Sequence, residues 1–176
     1  MHFVFMGVSG SGKTTVAERV AKQLGMPFAE ADDFHPRANI DKMAAGVPLT
    51  DEDRWPWLHE LARWIAEHEA AGQSTVMACS ALRHSYRDVL RQAAPGVRFL
   101  HMHGSAEVIW RRIEARQDHF MPPALLESQL NTLERLKEDE PGLELDVRDD
   151  VESLVGQALE YVGPLLRPAK APVVGD

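Results

Sequence analysis

Gly7-Val8-Ser9-Gly10-Ser11-Gly12-Lys13-Thr14 satisfies every fixed position of the pattern G-x-x-x-x-G-K-[ST]. Glycines let such a loop adopt backbone conformations that a Cβ would block, so that N–H groups can approach phosphate oxygens. A helix starting near Lys13 adds the positive end of its dipole. Lys13 is then placed to reach the outer phosphates and the Thr14 hydroxyl to ligate Mg²⁺, while Ser9, Ser11 and Thr15 lie within the same cradle. The flanks agree: residues 3–8 read as a buried apolar strand and residues 14–24 as an amphipathic helix. The stretch implies a nucleoside triphosphate, taken as ATP with Mg²⁺. It says nothing of the acceptor.

Working outward, residues 27–31, 75–80, 97–103 and 143–147 join 3–8 as short segments of strand character. Helical spacing marks residues 52–71, 85–93, 106–116, 122–136 and 150–166, and glycine and proline punctuate the junctions. Strands alternating with helices predict a three-layer α/β domain with a five-stranded parallel sheet and helices on both faces. One domain over residues 1–166 is expected, with a loose tail at 167–176. Ligands of such sheets gather at the carboxyl ends of the strands.

The chain of 176 residues is 44% hydrophobic and 26% charged, with a net charge of −8. Those values fit one globular domain and argue against a general nucleic-acid surface. No apolar run approaches the roughly 20 residues of a membrane span, and residues 1–7 read as a first strand rather than a signal segment. The single cysteine, Cys79, excludes an intramolecular disulfide and is expected to be a small buried residue, compatible with a cytoplasmic location.

Three classes use such a loop. A regulatory nucleotide switch should carry Asn-Lys-x-Asp, which is absent; Asp139-Glu140-Pro141-Gly142 fits its Asp-x-x-Gly element but precedes the fifth strand. A motor ATPase should end its third strand in an acid, whereas Val76-Met77-Ala78-Cys79-Ser80 has none. The remaining class is a small-molecule kinase. Its missing acid has a replacement in Glu30-Ala31-Asp32-Asp33-Phe34-His35-Pro36, whose strand is expected beside the glycine loop. Alternation puts Glu30 and Asp32 on one side. One carboxylate could serve Mg²⁺ and the other could take the proton from an attacking hydroxyl.

These stretches resemble the gluconate kinases, small P-loop kinases related to shikimate and nucleoside monophosphate kinases. Besides the glycine loop, the resemblance rests on Asp32–His35 with Asn39-Ile40-Asp41-Lys42-Met43, and on Gly46-Val47-Pro48-Leu49-Thr50-Asp51-Glu52-Asp53-Arg54. Cys79-Ser80-Ala81-Leu82-Arg83 with Tyr86-Arg87-Asp88, and Arg112 and Arg116 before His119-Phe120 and Ser128-Gln129, complete it. It implies transfer of the ATP γ-phosphate to the 6-hydroxyl of D-gluconate, with another small hydroxy acid or a nucleoside monophosphate as the alternative acceptor. It further implies Asp32 as the base and Glu30 near Mg²⁺. His35, Arg54, Arg83 and Arg87 would contact the sugar acid, and Arg112 and Arg116 the transferring phosphoryl group. His119 and Gln129 would contact substrate from a mobile lid over residues 117–136, and a homodimer is expected. Tyr86 and Trp57 read as packing residues. Ala31 stands where relatives commonly have Gly, and Arg83 where Lys is common.

Overall fold

Continuous apolar strands require cover on both faces, and the first strand shows it: all five residues of β1 (His2–Met6) are buried. The structure, a computed structural model, describes residues 1–115 and 122–166. The other strands are β2 (Phe28–Glu30), β3 (Thr75–Ala78), β4 (Val97–His103) and β5 (Gly142–Asp146). All pairings are parallel, in the order β2-β3-β1-β4-β5. The helices are α1 (Lys13–Leu24), α2 (Arg37–Ala44), α3 (Asp51–Ala70), α4 (His84–Ala93), α5 (Ala106–Glu114), α6 (Pro123–Thr132) and α7 (Val151–Leu166). Pairs α1–α7 and α3–α4 pack together, and the expected α/β architecture is observed. Among the described residues no helix is long and apolar enough to cross a membrane.

The strand order corrects one expectation. β2 does not lie beside β1, because β3 is inserted between them. Phe5 and Glu30 are both level with Ala78, so the end of β2 still reaches the row where β1 gives way to the loop. Strand order reverses around β1, which is flanked in the sheet by β3 and β4; the glycine loop therefore opens at the switch point.

A second correction concerns residues 31–44. Strand alternation stops at Glu30, whose carboxylate accepts from the Asp32 amide and starts a 3-10 turn, Ala31–Phe34. α2 follows, and neither element is marked by the apolar period, since α2 buries only Asn39. Glu30 and Asp32 share a neighbourhood through a turn, not through the pleat. α3 has a stronger start: Thr50 and Asp53 form a reciprocal capping box, and Trp57, Leu58, Leu61 and Ile65 form the buried stripe. Cys79 is buried, and loss of solvation pushes its thiol up to about 12, as befits a packing residue.

Candidate active site

The glycine loop takes the backbone its sequence demands. Gly7, Gly10 and Gly12 have φ of 143°, 79° and 88°. A Cβ on Gly7 would lie 2.7 Å from the Met102 carbonyl oxygen, and one on Gly12 would lie 3.0 Å from Arg112 Nη2. Gly12 is also the left-handed residue at which α1 begins, without a side-chain cap, so the first amides of α1 are left to the loop's cavity. Ser11 is buried, and its hydroxyl has no protein partner. The Gly7 amide donates to the Ser80 carbonyl at 3.2 Å and ties the loop to the end of β3. Lys13 and Thr14 open α1, with Thr15 in the same turn.

The loop faces a cleft of about 680 Å³ of empty space open to solvent. Ser9 and Lys13 line it from the loop, Asp32 and His35 from the turn after β2, Arg54 and Trp57 from α3, and Ser80 from the end of β3. Leu125, Ser128 and Gln129 of α6, the described part of the expected lid, form another wall. Gln129 Oε1 accepts from the Ser9 amide at 2.7 Å, where an anionic oxygen would also be received.

Thr14 Oγ1 donates to Glu30 Oε2 at 2.7 Å. Burial is the main influence on Glu30 and raises its carboxyl above the usual range despite the hydrogen bond from Thr14 and the charge of Lys13. A hydroxyl and a carboxylate are hard oxygen donors and fit Mg²⁺, which commonly takes few protein ligands and completes its shell with water and phosphate. No cluster of three or more metal-binding side chains occurs among the described residues.

Asp32 lies opposite, its Oδ1 3.8 Å from His35 Nε2. The His35 ring stacks on Trp57 with centroids 4.3 Å apart, and the Trp57 indole donates to the Ala31 carbonyl at 2.7 Å. Trp57 is therefore a packing residue, as expected, and also the backing plate of a site residue. Arg54 reaches the cleft and donates to the Tyr86 hydroxyl at 3.4 Å. Arg112 Nη1 donates to the Val147 carbonyl at 2.6 Å, so its guanidinium spans from the loop after β5 to Gly12.

Two arginines depart from the sequence-based expectation. Arg87 does not face the cleft: it is fully buried, grips both oxygens of Glu140 at 2.7 and 2.8 Å, and donates to the Ala81 carbonyl at 3.0 Å and the Glu134 carbonyl at 3.1 Å. Ala81 has φ 40°, an uncommon left-handed conformation for a residue with a side chain, so Arg87 braces the strained turn behind Ser80 and Leu82. Arg83 is half-engaged elsewhere, donating to Asp51 Oδ2 at 2.9 Å, while the Tyr86 hydroxyl donates to Oδ1 of the same carboxylate. Arg116 and His119 lie outside the described residues.

Sequence reasoning passed over Ser80, Ser128, Asp51 and Asn39. Ser80 and Ser128 were signalled by neighbours already singled out, the end of β3 and Gln129. Asp51 and Asn39 stood in the quoted stretches, but a partner for each is visible only once α2, α3 and α4 are docked.

A phosphate cradle facing a carboxylate, an imidazole and a guanidinium suits transfer of a phosphoryl group to a small polar acceptor. With the parallel sheet beneath it, this is a phosphotransferase of the P-loop kinase class. Residues 3–136 match the AAA domain family. The chain is 49% identical over 138 residues to the gluconokinase of Gluconobacter oxydans (strain 621H), covering 78% of each chain. A gluconokinase structure from Sinorhizobium meliloti 1021 superposes with a TM-score of 0.83 at 45% identity, over 93% of this chain and 92% of that one. An unliganded sugar kinase from Janibacter sp. HTCC2649 gives 0.89 at 54% identity, covering 96% and 98%. The chain belongs to the gluconokinase family.

Proposed function

We propose that this protein transfers the γ-phosphate of ATP to the 6-hydroxyl of D-gluconate, giving 6-phosphogluconate and ADP. The observation that carries the proposal is the convergence of Lys13, Asp32, His35 and Arg54 on one cleft at the mouth of the glycine loop. Its family membership supplies the acceptor class, and the cleft chemistry fits it: a guanidinium suits a carboxylate, and a carboxylate and an imidazole suit hydroxyls.

The loop amides, Lys13 and the first turn of α1 hold the triphosphate. Thr14 and Glu30 would hold Mg²⁺, which would neutralise charge on the phosphates. Asp32 orients the acceptor hydroxyl and takes its proton as the oxygen attacks phosphorus. His35 and Arg54 fix the remaining hydroxyls and the carboxylate. Arg112, joined in this reading by Arg116, stabilises charge on the transferring group. Gln129 and His119 belong to a segment, residues 117–136, that closes over the reactants and excludes water. The Gln129 contact with Ser9 supports that part of the reading.

The deciding experiment offers ATP and Mg²⁺ with gluconate, shikimate or nucleoside monophosphates and measures ADP. Gluconate-dependent turnover is expected. Turnover of a nucleoside monophosphate without turnover of gluconate would overturn the acceptor while leaving the phosphate cradle intact. Cytoplasmic residence and a homodimer complete the proposal; the half-buried Trp55 and Trp64 on α3 are compatible with an interface, and light scattering in solution tests it.

A further inference from the structure

We propose that Asn39 is a positioning residue that locks His35 in one tautomer, so that the ring presents a fixed N–H donor from Nε2 to an oxygen of the acceptor. The inference deepens the hydroxy-acid reading above and rests on it for the identity of the acceptor.

The geometry assigns the proton. Asn39 Nδ2 lies 2.9 Å from the Asp53 backbone carbonyl, which can only accept, so the atom there must be the amide nitrogen. That same nitrogen lies 3.2 Å from His35 Nδ1. Its second hydrogen points to Nδ1, which therefore carries a lone pair, and the ring proton resides on Nε2. The ring cannot easily turn to exchange the two nitrogens: Trp57 stacks on it at 16° and the His35 side chain is 4% exposed. Burial, opposed by the Asp32 charge and aided by Arg54, lowers the affinity of the imidazole for a second proton. Nε2 is the ring nitrogen on the Asp32 side, too far from Oδ1 at 3.8 Å to be consumed by a strong hydrogen bond, and His35 and Asp32 both line the cleft.

A neutral imidazole held in this way is a donor at the cleft, not a base. It favours a hydroxyl or carboxylate oxygen at that position and disfavours an ammonium group, which would set donor against donor. Proton removal is left to Asp32.

Nitrogen-15 NMR of the ring tests the lock in the wild-type protein without any substrate. At neutral pH, Nδ1 of His35, assigned by comparison with His35→Gln, should resonate as an unprotonated nitrogen and Nε2 as a protonated one. The opposite tautomer or an imidazolium would overturn the proposal. Kinetics supply the second arm. His35→Gln keeps a donor near the Nε2 position and should stay within about tenfold of wild-type kcat/KM, whereas His35→Ala should fall further, chiefly through acceptor KM. Equal impairment of the two would also overturn it. Asn39→Asp, which accepts from Nδ1, should move the ring proton and raise acceptor KM about tenfold or more with little change in ATP KM; if it does not fold, the wild-type spectrum and the His35 pair still decide. Absence of gluconate turnover with the expected tautomer would count against the choice of acceptor, and the ring spectrum would still judge the lock.

Discussion

Thr14 Oγ1 donates to Glu30 Oε2 at 2.7 Å, although β3 separates β2, which ends at Glu30, from β1, whose loop leads into the α1 turn that carries Thr14. The contact exists because Phe5, Ala78 and Glu30 are level across the sheet, so the first turn of α1 overhangs the end of β2. It joins the phosphate cradle to the turn that bears Asp32 and His35.

Glu30→Gln should lower kcat/KM for Mg²⁺-ATP by about 10–100-fold, the usual cost of disturbing a metal's supporting ligands. The same substitution should raise the melting temperature of the ligand-free protein, because it removes a half-buried charge whose solvation is poor. Activity against Mg²⁺ concentration and a thermal melt check both. Unchanged Mg²⁺ dependence would remove Glu30 from the metal site.

Asp32→Asn should reduce kcat by roughly 10²-fold or more while ATP binding persists, since removing a positioned base affects the transition state and not the nucleotide. Steady-state kinetics with an independent ATP-binding titration separate the two. A normal kcat would make Asp32 a bystander.

Arg54→Ala and Arg83→Ala should differ. Arg54 reaches the cleft, and loss of a charge-assisted hydrogen bond there should raise gluconate KM about 10–100-fold. Arg83 is held by Asp51, so its removal should act less, through the Asp51–Tyr86 contact. Equal KM effects would show that Arg83 leaves Asp51 when substrate binds.

Breaking the Arg87–Glu140 pair by Glu140→Ala should cost about 3–5 kcal/mol, because it leaves a fully buried guanidinium uncompensated. Urea unfolding measures it. Burial by itself would raise the Glu140 carboxyl, but hydrogen bonds from Arg87 and the Lys137 amide outweigh it and hold the group below its ordinary value. The native state therefore binds this proton more weakly than the unfolded chain. The stabilisation is present above the usual glutamate range and is lost as the pH falls through the depressed native value. In Glu140→Ala that acid-labile component should be absent from the stability profile.

Much of this was legible in the chain itself. The pattern from Gly7 to Thr14 dictates its own backbone, because only glycines accept the left-handed φ values that aim amides inward. Strand character at 75–80 and 97–103 is carried largely by apolar side chains in extended runs, and 143–147 alternates Leu143, Leu145 and Val147 with acids, so the sheet was readable. The acids after β2 could be picked out because carboxylates collected at a strand end near a phosphate loop have a chemical purpose, whereas Arg54 was marked only by the family resemblance.

What the sequence could not supply was direction and distance. Strand order depends on long-range pairing, which is why β3 between β1 and β2 was not foreseen. The fate of each arginine depends on which carboxylate the fold delivers to it: Glu140, from 53 residues away, claims Arg87, and Asp51 claims Arg83. Asn39 acquires a purpose only when α2 docks on α3 and brings the Asp53 carbonyl to one side of its amide and His35 to the other. Local sequence thus determined the phosphate cradle, whose conformation is written in its own glycines. Tertiary structure decided which charges face the cleft, since a charge is directed by its partners and those partners arrive from distant parts of the chain.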